Sequence, residues 1–242
     1  MTQRIDRVII TGASSGIGLD LARRFLAEGS RVIINGKDPA KLERARQSLG
    51  DERRVVAVAG AIGEPSTGRA IAAAARERFA GVDVLVNNAG IFATKPFLET
   101  TAEDLERFFT TNLRGTYLVT QAVVPLMIEG GGGTIINVGT TLVEQAMTGL
   151  PVSAAMSSKG GVHALTVSLA AELARHNIRV NTLAPGIIRT PLIDDPDALA
   201  PIHPLGRVGE VEDTSDAALF LARSGFVTGL TLDVDGGYSH GR

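Results

Sequence analysis

The sequence predicts a single α/β domain, a doubly wound parallel sheet with helices on both faces. Three observations carry this. Short runs of Val, Ile and Leu alternate with helical patterns from Val8 to Val234. The runs are apolar at nearly every position, as strands covered on both faces should be. No Ser- or Pro-rich linker and no repeat divides the 242 residues, so one domain is expected over 1–242. Such alternation implies right-handed crossovers, and ligands then collect beyond the carboxyl ends of the strands.

The elements follow in order. Val8–Ile10 reads as the first strand, and the glycines of Thr11–Gly18 mark a tight turn into a helix. That helix carries Leu19, Leu21, Ala22, Phe25 and Leu26 at helical spacing and closes at Gly29. Arg31–Asn35 is the second strand, after which Asp38-Pro39 supplies an N-cap and an N1 proline for a helix to about Leu49. A strand at Val55–Ala59, a helix at Pro65–Phe79 and a strand at Val82–Asn87 come next. Thr100-x-x-Glu103 has the spacing of a capping box, ahead of one long helical region from Ala102 to Ile128. Gly130–Gly133 ends it before a strand at Thr134–Val138. A helix over Ala155–Arg175, a strand at Arg179–Ala184, a helix at Val211–Arg223 and a last strand at Thr231–Val234 complete the chain.

Composition excludes several classes of function. A formal net charge of −2 gives no electrostatic case for nucleic acid or an anionic membrane surface. There is no cysteine, hence no disulfide and no thiolate metal site. His163, His176, His203 and His240 are scattered without metal-ligand spacing, so no metal is expected. No apolar run reaches the length of a membrane span. The short polar start leaves no room for a secretory leader, and a cytoplasmic protein is expected.

Chemistry concentrates after the strands. The turn Gly12-Ala13-Ser14-Ser15-Gly16-Ile17-Gly18 joins a strand to a helix N-terminus, where unpaired N–H groups and the helix dipole favour a phosphate. Asn87-Asn88-Ala89-Gly90, Gly139–Thr141 and Pro185–Thr190 follow three further strands and mark the same end of the sheet. In its Thr-Gly-x-x-x-Gly-x-Gly form, the first segment resembles the cofactor turn of the short-chain dehydrogenase/reductase family, and the resemblance runs from residue 8 to about residue 237. It implies a Rossmann-like fold, a nicotinamide dinucleotide cofactor and a small-molecule substrate. Asn88, Ala89 and Gly90 then line the adenine and ribose side, and Pro185, Gly186, Ile188 and Thr190 hold the nicotinamide carboxamide. Asp235-Gly236-Gly237 fits the family's C-terminal ending.

Cofactor choice is read at the end of the second strand, where NAD enzymes place a carboxylate for the ribose 2′-hydroxyl. Here stand Gly36 and Lys37, which favour the 2′-phosphate of NADP(H) over NAD(H). Asp38 suits a helix cap better than a ribose contact. Ala61-Ile62 stands where the family has an aspartate near adenine, so Ile62 contributes backbone there.

At the catalytic positions Lys159 matches the family's active-site lysine and Asn112 its helix-bending asparagine, which holds a water beside that lysine. Thr140 stands at the family's serine, with Thr141 and Ser153 as alternatives in a segment about two residues longer than usual. The tyrosine that donates the proton is replaced by Ala155. An oxidoreductase of this type therefore needs another proton path through water, Thr140, His163 or Glu144. The alternative is an NADP(H)-binding sensor or assembly protein without turnover, or an enzyme silenced by a tyrosine-to-alanine change. The segment Pro191–Arg207, with Leu192, Ile193, Leu199 and Ile202, occupies the family's substrate lid and suits a modest apolar substrate. The resemblance implies a homo-oligomer, a tetramer or dimer, and small residues along the Ala155–Arg175 helix (Gly160, Gly161, Ala164, Ala170, Ala171 and Ala174) would permit a close helix partner.

Overall fold

The computed structural model describes residues 5–191, 193 and 195–241. Seven strands form one wholly parallel sheet: β1 (Arg7–Ile10), β2 (Arg31–Gly36), β3 (Val55–Ala59), β4 (Val84–Asn87), β5 (Gly133–Val138), β6 (Ile178–Pro185) and β7 (Thr231–Val234). Their order is β3-β2-β1-β4-β5-β6-β7. The winding direction therefore reverses between β1 and β4, and a crevice opens there beyond the strand ends.

Side chains leave each strand alternately for two apolar layers. Val8 and Ile10 of β1, Val32 and Ile34 of β2, and Ile136 and Val138 of β5 pack with Leu21, Phe25, Leu42 and Leu219. Ile9, Ile33 and Ile135 pack on the other face with Ile71, Phe79, Val119, Met127 and Leu173. The first layer belongs to α1 (Gly16–Ala27), α2 (Pro39–Ser48) and α7 (Val211–Arg223). The second belongs to α3 (Pro65–Phe79), α5 (Gly115–Glu129) and α6 (Ser153–Leu173). The single-domain doubly wound sheet is thus present, with both faces covered.

Two local expectations change. The capping box before α4 (Ala102–Phe108) is Thr101 with Asp104, one residue later than Thr100 with Glu103. Both side chains close the box, Thr101 Oγ1 accepting from Asp104 N at 3.2 Å and Asp104 accepting from Thr101 N at 3.1 Å. The expected long helix is interrupted by a wide π turn at Phe109–Arg114, and α5 resumes at Gly115. The interruption has a cause in packing. Asn112 turns inward to polar partners, and Gly115 lets α5 close on Ile62, whose Cγ1 would stand 2.5 Å from a Cβ at 115.

A buried polar ladder ties this half of the sheet to α6. Asn87 Nδ2 donates to Asn137 Oδ1 and to Thr120 Oγ1, both at 2.9 Å. Asn137 Nδ2 donates to Thr166 Oγ1 at 2.9 Å, and Thr182 Oγ1 bonds the same hydroxyl at 2.8 Å. The ladder fixes α6 against β4, β5 and β6, and with it the residues two turns earlier on the helix.

Candidate active site

The crevice between β1 and β4 is held by a clasp. Thr11 Oγ1 accepts from the backbone N–H groups of Asn88 and Ala89, each at 3.1 Å. Asn88 Nδ2 donates in return to the carbonyls of Thr11 and Gly12, each at 3.0 Å. Two glycines permit this closeness. A Cβ at Gly12 would stand 2.6 Å from Ala89 Cα, and one at Gly18 would stand 2.5 Å from the Gly12 carbonyl oxygen. Ser15 is the N-cap of α1 but its side chain makes no capping bond. The first N–H groups of α1 are therefore left for another acceptor, as a phosphate site requires.

At the end of β2 the side chain of Ser14 lies over Gly36, on the spot where a Cβ would project. A carboxylate at position 36 has no room without displacing it. Lys37 is exposed, and the nearby acid is committed: Asp38 accepts from Ala40 N at 2.9 Å and Lys41 N at 3.0 Å. Those bonds, the Lys41 N–H first, hold its carboxyl below the usual range. Ile62 is buried with its side chain against Gly115.

The segment after β6 reaches across to the first turn. Thr190 Cγ2 lies 3.4 Å from the position of a Cβ at Gly16. Arg189 N donates to Gly209 O at 2.8 Å, and Gly209 N donates to Ile187 O at 2.9 Å. Extended chain alternates its polar groups, so Ile188 turns its own N–H and C=O the other way, while its side chain is buried against Gly209. From behind, His203 Nε2 accepts from Ile187 N at 3.4 Å, and Asp235 packs on Gly186, which follows Pro185 at the end of β6.

Asn112 is buried in the π turn and locked on three sides. Its Oδ1 accepts from Ile91 N at 2.8 Å, and its Nδ2 donates to Ile91 O at 3.1 Å and Ser158 Oγ at 2.9 Å. Ser158 Oγ in turn donates to the Ala155 carbonyl at 2.7 Å. One residue on, the half-buried Lys159 donates from Nζ to Val138 O at 2.6 Å. Desolvation there pushes its pKa down from 10.5 to about 8. Thr140, two residues past Val138, accepts at Oγ1 from Leu142 N at 3.3 Å, leaving its O–H to donate elsewhere. Ala155 is 1% exposed and belongs to a small apolar cluster with Phe108 and Ala154, flanked by Ile91 and Met156.

Two other candidate acids or bases are His163 and Glu144. His163 is half-buried against Gly139, and its Nε2 has no hydrogen-bond partner among the described residues. Burial lowers its pKa, opposed by the charge of Glu144 and reinforced by that of Lys159. Glu144 is exposed in the loop after β5. Among the described residues no three His, Asp or Glu side chains are grouped to hold a metal ion.

The short chain dehydrogenase family model matches residues 6–198. The chain belongs to that family. It is 38% identical over 244 residues to galactitol 2-dehydrogenase (L-tagatose-forming) of Cereibacter sphaeroides, covering 95% of this chain and 93% of that protein. It is 36% identical to gluconate 5-dehydrogenase of Gluconobacter oxydans, covering 96% of this chain and 93% of that protein. Among solved structures, the 3-ketoacyl-(acyl-carrier-protein) reductase of Brucella melitensis complexed with NADH superposes with a TM-score of 0.91 at 35% identity. That match covers 97% of this chain and 98% of the reductase. A short-chain type dehydrogenase/reductase from Mycobacterium marinum gives a TM-score of 0.92 at 33% identity over 97% of this chain and 96% of that one. The protein is therefore an oxidoreductase of a family that binds NAD(P)(H).

For a short-chain dehydrogenase the residues present fit the dinucleotide. The cradle of Gly12, Ser14, Ser15, Gly16, Ile17 and Gly18, the clasp residues Asn88 and Ala89 beside Gly90, and the segment Pro185–Thr190 border one crevice. Asn112 Oδ1 and Lys159 Nζ both lie against Gly90, 3.2 and 3.1 Å from the place of its Cβ, and Thr140 follows two residues after the Val138 carbonyl that Lys159 holds. Leu192 of the lid segment lies outside the described residues; Ile193, Leu199 and Ile202 are half-buried. Sequence reasoning missed the Thr11 hydroxyl, Ser158 and His203. Their partners are distant in the chain, so spacing alone gave no signal; a polar residue at the end of an apolar strand was the available hint for Thr11.

Proposed function

We propose that the protein is a cytoplasmic, NADP(H)-dependent oxidoreductase that acts on a small, mainly apolar carbonyl or alcohol by an atypical proton relay. When bound, the cofactor supplies or accepts a hydride at its nicotinamide. The observation that carries the reading is Lys159, tethered to the Val138 carbonyl beside a locked Asn112, with the Thr140 hydroxyl at the same strand end. A binding module has no use for that set. Lys159 and Thr190 hold the nicotinamide half, and the α1 N-terminus holds the pyrophosphate. Ser14 over Gly36, the capped Asp38 and the exposed Lys37 support a 2′-phosphate in place of a ribose hydroxyl. Half-buried Ile193, Leu199 and Ile202 support an apolar substrate, whereas several similar proteins are named for sugars or polyols, so both classes belong in a substrate panel.

A second reading has one observation in its favour. Ala155 is closed into an apolar cluster, as it would be in a sensor or assembly partner that keeps the dinucleotide without turning it over.

Calorimetric titration with NADPH and NADH tests the cofactor. A charge-assisted contact is worth about 1.5–3 kcal/mol, so NADPH should bind roughly 10- to 150-fold more tightly, and Lys37→Ala should erase most of that difference. Equal affinities in the wild type would overturn the NADP(H) assignment. NADPH oxidation against ketones, ketoses and their alcohols tests turnover; tight binding with no turnover would favour the second reading.

A further inference from the structure

This inference rests on the redox reading above and names its proton source. Hydride arriving at a carbonyl carbon moves the C=O π pair onto oxygen, which must then take one proton. Ala155 has none to give. Thr140 can point its hydroxyl at that oxygen, yet a hydroxyl that gives up its proton must be refilled at once. We propose that Lys159 itself is the acid and base: its ammonium gives the proton to the substrate oxygen, through the Thr140 hydroxyl or one intervening water, and recovers it from solvent.

The balance closes with the cofactor alone. In reduction one C–H bond forms with the hydride, the carbonyl carbon is reduced and NADPH is oxidised. One N–H bond of Lys159 breaks, one O–H bond forms, and the side chain is left as a neutral amine. Oxidation runs the same steps backwards, the amine taking the alcohol proton.

Four features support the assignment. Nζ carries three N–H groups and spends one on Val138 O. A Cβ at Gly90 would stand 3.1 Å from Nζ, so this exposed glycine leaves an approach to the ammonium. Position 155 is one helical turn before Lys159 on the same face, so the side where a phenol would stand is the side the lysine serves. Burial also lowers the Lys159 pKa to about 8, within reach of acid–base work near neutrality.

The rival is His163. It lies eight residues beyond Ala155 on α6, about 12 Å along the helix, on the far side of Lys159. Its Nε2 is buried against Gly139, away from that position. The other charged group near it is Glu144 of the exposed loop after β5. Toward Lys159 itself the segment after β4 and the π turn present Gly90 and Asn112, and β5 presents the Val138 carbonyl, none of them charged.

The decisive variant is Lys159→Arg, which keeps a cation but holds its proton at every working pH. In the wild type, ketone reduction should be flat below about pH 8 and fall above it, while alcohol oxidation rises through the same midpoint. Lys159→Arg should lose both the midpoint and about 10²–10⁴-fold of the reduction rate. NADPH affinity, read separately by fluorescence, should change far less. In the unloaded protein, ¹⁵N NMR of the side-chain amines should show Lys159 titrating near 8. A midpoint retained in Lys159→Arg, an Nζ titrating above 10, or a midpoint removed by His163→Asn would each overturn the assignment. If the arginine variant does not fold, Ala155→Tyr answers instead: a phenol beside the lysine should take over the proton and move the midpoint, and an unmoved midpoint counts against the proposal. A wild type that binds NADPH and turns nothing over sinks the redox reading and this inference with it; turnover with a midpoint indifferent to Lys159 sinks the inference alone.

Discussion

Lys159 keeps its ammonium in surroundings that disfavour charge, and this should be measurable in stability as well as in rate. Its folded pKa of about 8 lies below the ordinary 10.5, so between those values the unfolded chain binds more protons than the native one. Stability must then rise with pH across that window, and below pH 8 the native state carries the full desolvation cost. Lys159→Met removes the charge while keeping most of the volume. At pH 7 it should stabilise the unliganded protein by on the order of 1–2 kcal/mol, the desolvation relief less the lost hydrogen bond to Val138. Urea unfolding at pH 7 and pH 10 checks this, with the advantage of the variant shrinking at the higher pH. Equal midpoints at pH 7 would mean that the ammonium is solvated. A residue kept for the site at a cost to the fold is what catalytic chemistry commonly demands.

At the scale of elements, the site depends on how closely β1, β4 and the start of α1 approach one another. Gly18 is where that approach is tightest, with the Gly12 carbonyl and the Asn88 amide both against the place of a Cβ. Gly18→Ala should split the Thr11–Asn88 clasp, cost roughly 1–3 kcal/mol by overpacking, and weaken NADPH binding at least tenfold. Gly29 offers the control. Its φ is +90° and nothing lies within 4 Å of its Cβ position, so Gly29→Ala strains the end of α1 without touching the crevice. It should lower stability, by about 1 kcal/mol, and leave NADPH affinity unchanged. Calorimetry on the two variants separates them; equal losses of affinity would mean that the clasp does not shape the site.

The whole molecule leaves apolar surface uncovered. Tyr117 of α5 and Val167 of α6 are exposed. Phe220 of α7 and, just before β7, Phe226 and Leu230 are also exposed, and Phe226 has no cover at all. Exposed apolar side chains of this size are the kind that protein–protein contacts cover. Together with the small residues of α6, they support the expected homo-oligomer. Sedimentation at micromolar concentration should give a tetramer or dimer, and Phe226→Asp should lower the state reached. A wild-type monomer under those conditions would defeat that expectation. No helix among the described residues is long and apolar enough to cross a membrane.

The sequence by itself determined the fold class, because buried parallel strands need continuous apolar runs and the helices between them need amphipathic ones. Both are local patterns. Hence β3, α3, α7 and β7 have the limits expected of them, whereas the strand order came only with the tertiary structure. The sequence also determined that position 155 carries no proton, since alanine is alanine in any surroundings. Tertiary structure decided what depends on distant partners. The break in the long helix at Asn112 comes from Ile91 and Ser158, 21 and 46 residues away. That Ser14 covers the place of a Cβ at Gly36 follows from how the β1 turn folds over it. The tether of Lys159 to Val138 and its lowered pKa come from the packing of α6 on β5, which the buried Asn137–Thr166 bond enforces. Patterning along the chain is set by hydrophobic periodicity, whereas a site is set by hydrogen bonds and desolvation between segments that meet only after folding.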